Sequence, residues 1–210
     1  MYKLVIGLLL VSVTALHAQN EEFAAMKNIE PFKKGISEMA QSTTSIKASF
    51  RQEKYLSILS EAVVSSGEMY FKKPGKLKWA YTNPYNYAIV LNGEEIKIND
   101  EGKVNSFAIN NSKVFKEVND LIIKSVQGDV LQEDRFDIVF KESKNLYLAQ
   151  LTPINKNIKD YITHIDVYFE KDDFSVNKLQ LFESEEDYTL ITFQKKQFNV
   201  SIPDNEFSFQ

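Results

Sequence analysis

Polar and apolar positions change period along this chain. From residue 46 the period is two. Ile46, Ala48, Phe50 and Gln52 share one face, while Lys47, Ser49, Arg51 and Glu53 share the other. Strict alternation of this kind predicts a strand with one buried face. Shorter alternating runs follow at 61–72, 76–82, 86–91, 94–99 and 104–109, then at 135–141, 146–152, 161–170, 176–184 and 188–196. That makes about eleven strands, too many for a flat sheet unless it curls. The turn signals between them are "KKPGK", "TNP", "NGEE" and "NDEG". Most links are too short for crossover helices, so the predicted sheet is mainly antiparallel.

Two stretches keep a helical period instead. Between Glu22 and Gln41 the apolar residues are Phe23, Met26, Ile29, Phe32, Ile36 and Met39, in steps of three and four. This predicts an amphipathic helix over 22–41, interrupted at Pro31 and Gly35. In 111–128, "NSKVFKEVNDLIIKSVQG", residues Val114, Phe115, Val118, Leu121, Ile122 and Val126 form a second apolar stripe, ended by Gly128. A further non-strand insertion, "TPINKNIKDY", occupies 152–161. No repeat or Pro/Ser-rich linker divides the chain, so a single α+β domain is expected over 19–210.

The first eighteen residues read differently. Lys3 precedes an apolar run from Leu4 to Leu16, and "LHAQ" follows. Thirteen residues are too few to span a bilayer, so the expectation is an export signal cleaved after Ala18. The rest should then be soluble. Its removal takes Lys3 and no acid, moving the formal charge from −4 to −5. A mildly acidic chain argues against nucleic acid, whose binding depends on cations displacing counterions. The chain has no cysteine, which excludes disulfides and thiolate chemistry. An exported protein without disulfides must be held by burial alone.

Candidate chemistry is sparse. Beyond the signal the chain has one histidine, His164, on the same strand face as Asp166. No serine or cysteine nucleophile motif accompanies the pair, so a solvent-facing strand residue is the expectation. The acidic run 183–188, "ESEEDY", lacks the ligand rhythm of a calcium loop and reads as a solvated turn. The seven glycines are scattered and form no phosphate cradle. Neither catalysis, a cofactor nor a metal is expected. What remains is apolar bulk, with 15 Phe and 10 Tyr. On a strongly curved sheet that bulk either packs a solid core or lines an apolar ligand pocket.

One segment is more specific. "GEMYFKKPGKLKW" (Gly67 to Trp79), preceded by "SFRQ" with Phe50 and Gln52 and followed by "YTNP" (Tyr81 to Pro84), resembles the LolA family of periplasmic outer-membrane lipoprotein carriers. "IVLNGEEIKIND", "LTP" (Leu151 to Pro153), "FSVNKLQLFESEEDYTLITF" and "IPDNEFSF" extend the resemblance over essentially the whole chain after the signal. It implies an incomplete, strongly curved antiparallel β barrel with a helical lid over an apolar cavity. It also implies a monomeric carrier that takes lipoprotein acyl chains from an inner-membrane ABC transporter and passes them to an outer-membrane acceptor.

By this resemblance Phe50, Met69, Phe71, Trp79, Ile89 and Leu91 line the cavity from the sheet, and Phe115, Val118, Leu121 and Ile122 line it from the lid. The family's basic latch falls on Lys73, with Leu77 at the rim. Many members carry arginine there, and lysine lacks arginine's planar fork. Two other readings stay open: a LolA-like carrier of another amphiphile, such as a glycolipid or a polyene pigment lipid, and a non-catalytic structural β module.

Overall fold

The computed structural model describes residues 21–93, 95–108 and 134–209. The expected signal at 1–18 and the apolar stripe of 111–128 lie outside the described residues. The long strands are β2 (Ser45–Tyr55), β3 (Val63–Lys72), β4 (Lys76–Asn83), β5 (Tyr87–Asn92), β6 (Glu95–Asp100) and β7 (Lys103–Ala108), then β8 (Phe136–Glu142), β9 (Leu146–Pro153), β10 (His164–Glu170), β11 (Val176–Phe182) and β12 (Tyr188–Phe198). These are the eleven runs read from alternation. A two-residue strand, β1 (Ala24–Ala25), makes twelve.

All twelve form one antiparallel sheet in the order β1-β8-β9-β10-β11-β12-β2-β3-β4-β5-β6-β7. The chain starts β2 in the middle, winds outward by hairpins to β7, then resumes at the opposite edge with β8 and winds back. The strand β12 closes the circuit against β2, with Phe193 opposite Phe50. Since β1 and β7 are the two ends of the order, the barrel is open rather than closed.

The helix expected over 22–41 is shorter. Helix α1 runs from Glu30 to Ser42, with Pro31 in its first turn. A proline is well placed there because the first helical N–H groups have no intrahelical acceptor. Residues before it are pulled elsewhere. Ala24 and Ala25 pair with Glu142 and Lys141 of β8, and Met26 N–H donates to the Phe140 carbonyl at 3.1 Å. An edge strand offers unpaired backbone groups, and those outcompeted another turn of helix. Phe23 and Met26 keep helical spacing, yet Phe23 meets Tyr168 edge-on while Met26 enters the core. The 152–161 insertion contains a one-turn helix, α2 (Lys156–Lys159).

Register places one residue in two on the concave face. Ile46 opposes Phe71, Ala48 opposes Met69, Phe71 opposes Leu77, and Met69 opposes Trp79. On the other half Ile165, Val167 and Phe169 of β10 point the same way and are essentially buried. Helix α1 crosses this face. Its Phe32 packs edge-on against Phe140 and Phe169. At Gly35 an added Cβ would lie 2.4 Å from the Phe174 ring, so only glycine lets that ring touch the helix. A second, small core lies on the convex face, where Ile202 and Phe207 of the C-terminal tail cover Val90.

Gly67 has a similar task in the sheet. It opposes Phe50, and a Cβ there would sit 1.9 Å from the Ala80 carbonyl oxygen and 2.8 Å from the Phe50 ring. Its absence lets Phe50 stack on Trp79 with centroids 4.2 Å apart. Gly67→Ala should therefore destabilise the fold by about 1–3 kcal/mol, the usual cost of overpacking. A lowered denaturant midpoint with unchanged slope checks this, and an unchanged midpoint contradicts it.

Candidate functional site

The concave face gathers the sheet residues read as cavity lining. Phe50, Met69, Phe71, Trp79 and Leu91 are buried in one apolar cluster, together with the rim residue Leu77. Ile89 is half-buried against the same cluster. Phe115, Val118, Leu121 and Ile122 lie outside the described residues. The cluster continues through Ile96 on one side and through Leu151, Ile165 and Val167 on the other. It is one face rather than several local cores.

The cationic turn after β3 divides its lysines between two sides of the sheet. Lys72 and Lys76 face each other across the hairpin. On the convex side Lys72 Nζ reaches Asp204 Oδ1 at 2.7 Å and the Ile202 carbonyl at 2.9 Å, while Lys76 reaches Asp204 Oδ2 at 3.2 Å. Lys78 pairs with Glu206 at 3.1 Å. These three lysines pin the C-terminal tail. Both β3 and β4 are interior strands, so the lysines guard no sheet edge.

Lys73 turns the other way. Its Nζ donates to the Ala40 carbonyl at 2.8 Å, and its backbone N–H donates to the Thr44 carbonyl at 2.9 Å. Ala40 is in the last turn of α1, where carbonyls have no intrahelical partner. The Met39 carbonyl is taken by the backbone N–H and hydroxyl of Thr43. The last turn carries no basic side chain of its own. Lys73 therefore supplies from the sheet the cation that a helix C-terminus favours. A single carbonyl acceptor suits an ammonium, which needs no planar fork.

The hinge between α1 and β2 is also tied to the tail. Thr44 N–H and Oγ1 both meet Asn199 Oδ1, at 2.7 and 3.0 Å, and Ser45 Oγ donates to the Val200 carbonyl at 2.6 Å. Asn199 has φ +57°, a conformation asparagine tolerates better than most residues. Sequence reading missed Asn199 and Asp204. Asp204 and Glu206 in "IPDNEF" are two residues apart, as are Lys76 and Lys78 that they meet, which is the one signal that could have paired them.

The remaining candidates are structural in their contacts. His164 lies on the convex face, stacked on Phe182 with centroids 3.9 Å apart. Asp166 is buried beside it but bonds to Gln150 Nε2 at 3.1 Å and to the Tyr168 hydroxyl at 3.4 Å, not to the imidazole. In the acidic run, Asp187 accepts the Ser57 N–H at 2.6 Å and caps the loop after β2. That bond holds the Asp187 carboxyl below the usual range. Among the described residues no group of three or more His, Cys, Asp or Glu could hold a metal ion.

Comparison with known proteins agrees with this architecture. Residues 41–210 match the family model for the outer membrane lipoprotein carrier protein LolA. The chain belongs to the LolA family. An outer-membrane lipoprotein carrier protein of Pseudomonas putida (strain GB-1) is 25% identical over 205 residues, which is 97% of this chain and 93% of that one. A protein of the same name from Francisella philomiragia subsp. philomiragia is 29% identical over 159 residues, 72% of this chain and 70% of that one. Among solved structures, an uncharacterized conserved protein from Thermus thermophilus superposes with a TM-score of 0.53 at 6% identity, covering 85% of this chain and 91% of that one. The Pseudomonas aeruginosa MucA/MucB complex gives a TM-score of 0.50 at 8% identity, over 86% of this chain and 60% of that chain. At such identities these two establish shared fold only.

Two measurements probe the turn. Lys73→Leu should release the end of α1 at a cost of about 1–2 kcal/mol, seen as roughly tenfold or faster hydrogen exchange at the amides of its last turn. Lys73→Arg should retain much of the protection, and equal exchange in all three proteins would contradict the latch. The Asp204 carboxyl is held below its ordinary 3.8 by hydrogen bonds and charge from Lys72 and Lys76. A depressed folded value means the ion pairs help hold the tail above the ordinary aspartate range and are lost as pH falls through the folded value. Tail amides of the native protein should lose protection on that acidification, and Asp204→Asn should remove the dependence.

Proposed function

We propose that this chain is an exported, non-catalytic periplasmic carrier that binds the acyl chains of lipoproteins on its concave face. It takes them from an inner-membrane ABC transporter and delivers them to an outer-membrane acceptor. Family membership supports the class. The observation that carries the reading is the continuous apolar face running from Ile96 to Phe140, crossed by α1, whose end Lys73 ties.

The physical argument is one of transfer. Exposing an acyl chain to water costs about 0.8 kcal/mol per methylene, so chains of about sixteen carbons cannot cross an aqueous space bare. A carrier must cover that surface without holding it by strong directional bonds, or release would fail. Phe, Met, Leu and Ile suit this, because their contacts are adaptable and non-directional. An empty apolar face would itself be a hazard in water. Helix α1 covers part of it, and the Lys73 to Ala40 bond is weak enough to open and re-form.

Trp79 offers a readout, since it is the only tryptophan and stacks on Phe50 within the face. Bound cis-parinaric acid should quench Trp79 by energy transfer, and palmitate should reverse the effect. Phe71→Glu should abolish both signals while leaving far-UV circular dichroism intact. Undiminished binding by that folded variant would remove the assignment of the face. Mass spectrometry of protein purified from its native periplasm should find diacyl-modified lipoprotein. A glycolipid or pigment ester in its place would redirect the cargo.

A further inference from the structure

The concave face is not uniformly apolar. Along β2 it passes from Ile46, Ala48 and Phe50 to Gln52, and along β3 from Phe71 and Met69 to Ser65. Gln52 and Ser65 are directly opposite one another in the ladder. Directly opposed residues of an antiparallel pair have their Cβ atoms about 4.5–5.5 Å apart, so the two side chains are neighbours. Ser65 is 3% exposed, and its hydroxyl makes no hydrogen bond among the described residues. A buried hydroxyl without a partner is uncommon in a folded protein and asks for an explanation.

Gln52 is oriented by its neighbours. The Tyr81 hydroxyl donates to Gln52 Oε1 at 2.9 Å. In that bond the phenol is the donor and Gln52 Oε1 the acceptor, so the amide oxygen faces Tyr81. That leaves both hydrogens of Gln52 Nε2 directed away from Tyr81, with no acceptor among the described residues. Burial pushes the Tyr81 phenol up from its ordinary value, so it keeps its hydrogen and the orientation holds at neutral pH.

The donors here are neutral. Lys54, the next residue on this face of β2, is already engaged by Glu183 at 2.9 Å. Among the described residues an anionic head group would find no free cation there. A carbonyl oxygen fits better: it accepts hydrogen bonds, carries no net charge and sits at the head of every ester- or amide-linked acyl chain. We propose that Gln52 and Ser65 form a carbonyl-recognition site that binds the ester or amide linkage of an acyl ligand, with the hydrocarbon lying over Phe50, Met69 and Trp79. This rests on the reading of the concave face as a lipid-binding surface. The face thereby sets the orientation of its guest: linkage toward Gln52, tail toward α1 and the Lys73 turn.

The test compares two lipids that differ only in the carbonyls. The full chain is titrated with 1,2-dipalmitoylglycerol and with the diether 1,2-di-O-hexadecylglycerol, following Trp79 emission. The diester should bind about tenfold more tightly, the effect of one or two neutral hydrogen bonds. Gln52→Leu and Ser65→Ala should each reduce that preference, and the double variant should erase it while diether affinity stays within about twofold. Equal affinity of the unaltered protein for the two lipids overturns the site but leaves the carrier reading intact. Failure to bind either lipid overturns the carrier reading and this site with it. A preference that survives in the double variant overturns the site by assigning the carbonyl to other residues.

Discussion

Apolar surface cannot be left in water, and the described residues are arranged around one apolar face that the sheet and α1 bury. The strands place every second side chain on it. The curl of the sheet brings distant strands toward one another across it. Helix α1 then spans from the Phe32 aromatic cluster at β8–β10 to the turn after β3. A helix of 13 residues is about 20 Å long, enough to bridge the face.

The turn at Lys73 joins that cover to the rest of the fold. Its backbone and its ammonium both bond the α1 end, while its flanking lysines bond the tail. The α1–β2 junction is bonded to the tail as well, through Asn199 and Val200. Three segments far apart in sequence thus meet at one end of the barrel. Each bond is individually modest. If the proposed carrier opens this cover, several modest bonds suit it better than one buried ion pair of high energy, which would lock it shut.

Much of the fold was legible in the sequence because its physics is local. A period of two survives any tertiary context that keeps one face buried, so the eleven long strands could be read directly, whereas the register of Leu77 and Trp79 with Phe71 and Met69 across the Pro74–Gly75 turn is set by the hairpin itself. The start of α1 could not. Phe23 and Met26 have helical spacing, and only the presence of an edge strand with free backbone groups decides that they run extended beside β8. The two sides of the cationic turn are not separable by residue type: Lys72, Lys73 and Lys76 look alike, the family resemblance alone points to Lys73, and the hairpin geometry is what turns it toward Ala40. Gly67 and Asn199 are visible only once Phe50 and Thr44 have positions in space.

The polar end of the concave face matters for how a carrier could be both tight and reversible. Apolar contact alone gives affinity that grows with chain length and says nothing about orientation. A few neutral hydrogen bonds at one end add little energy, because the carbonyl gives up water to make them. They add register instead. By the proposed site, an acyl chain held by its linkage at Gln52 and Ser65 would lie with its tail toward the α1 end, where Lys73 bonds the Ala40 carbonyl. The same chain held only by oil would lie in either direction. In a carrier of the proposed kind, small directional terms at the two ends of a large non-directional one would give the guest a defined orientation.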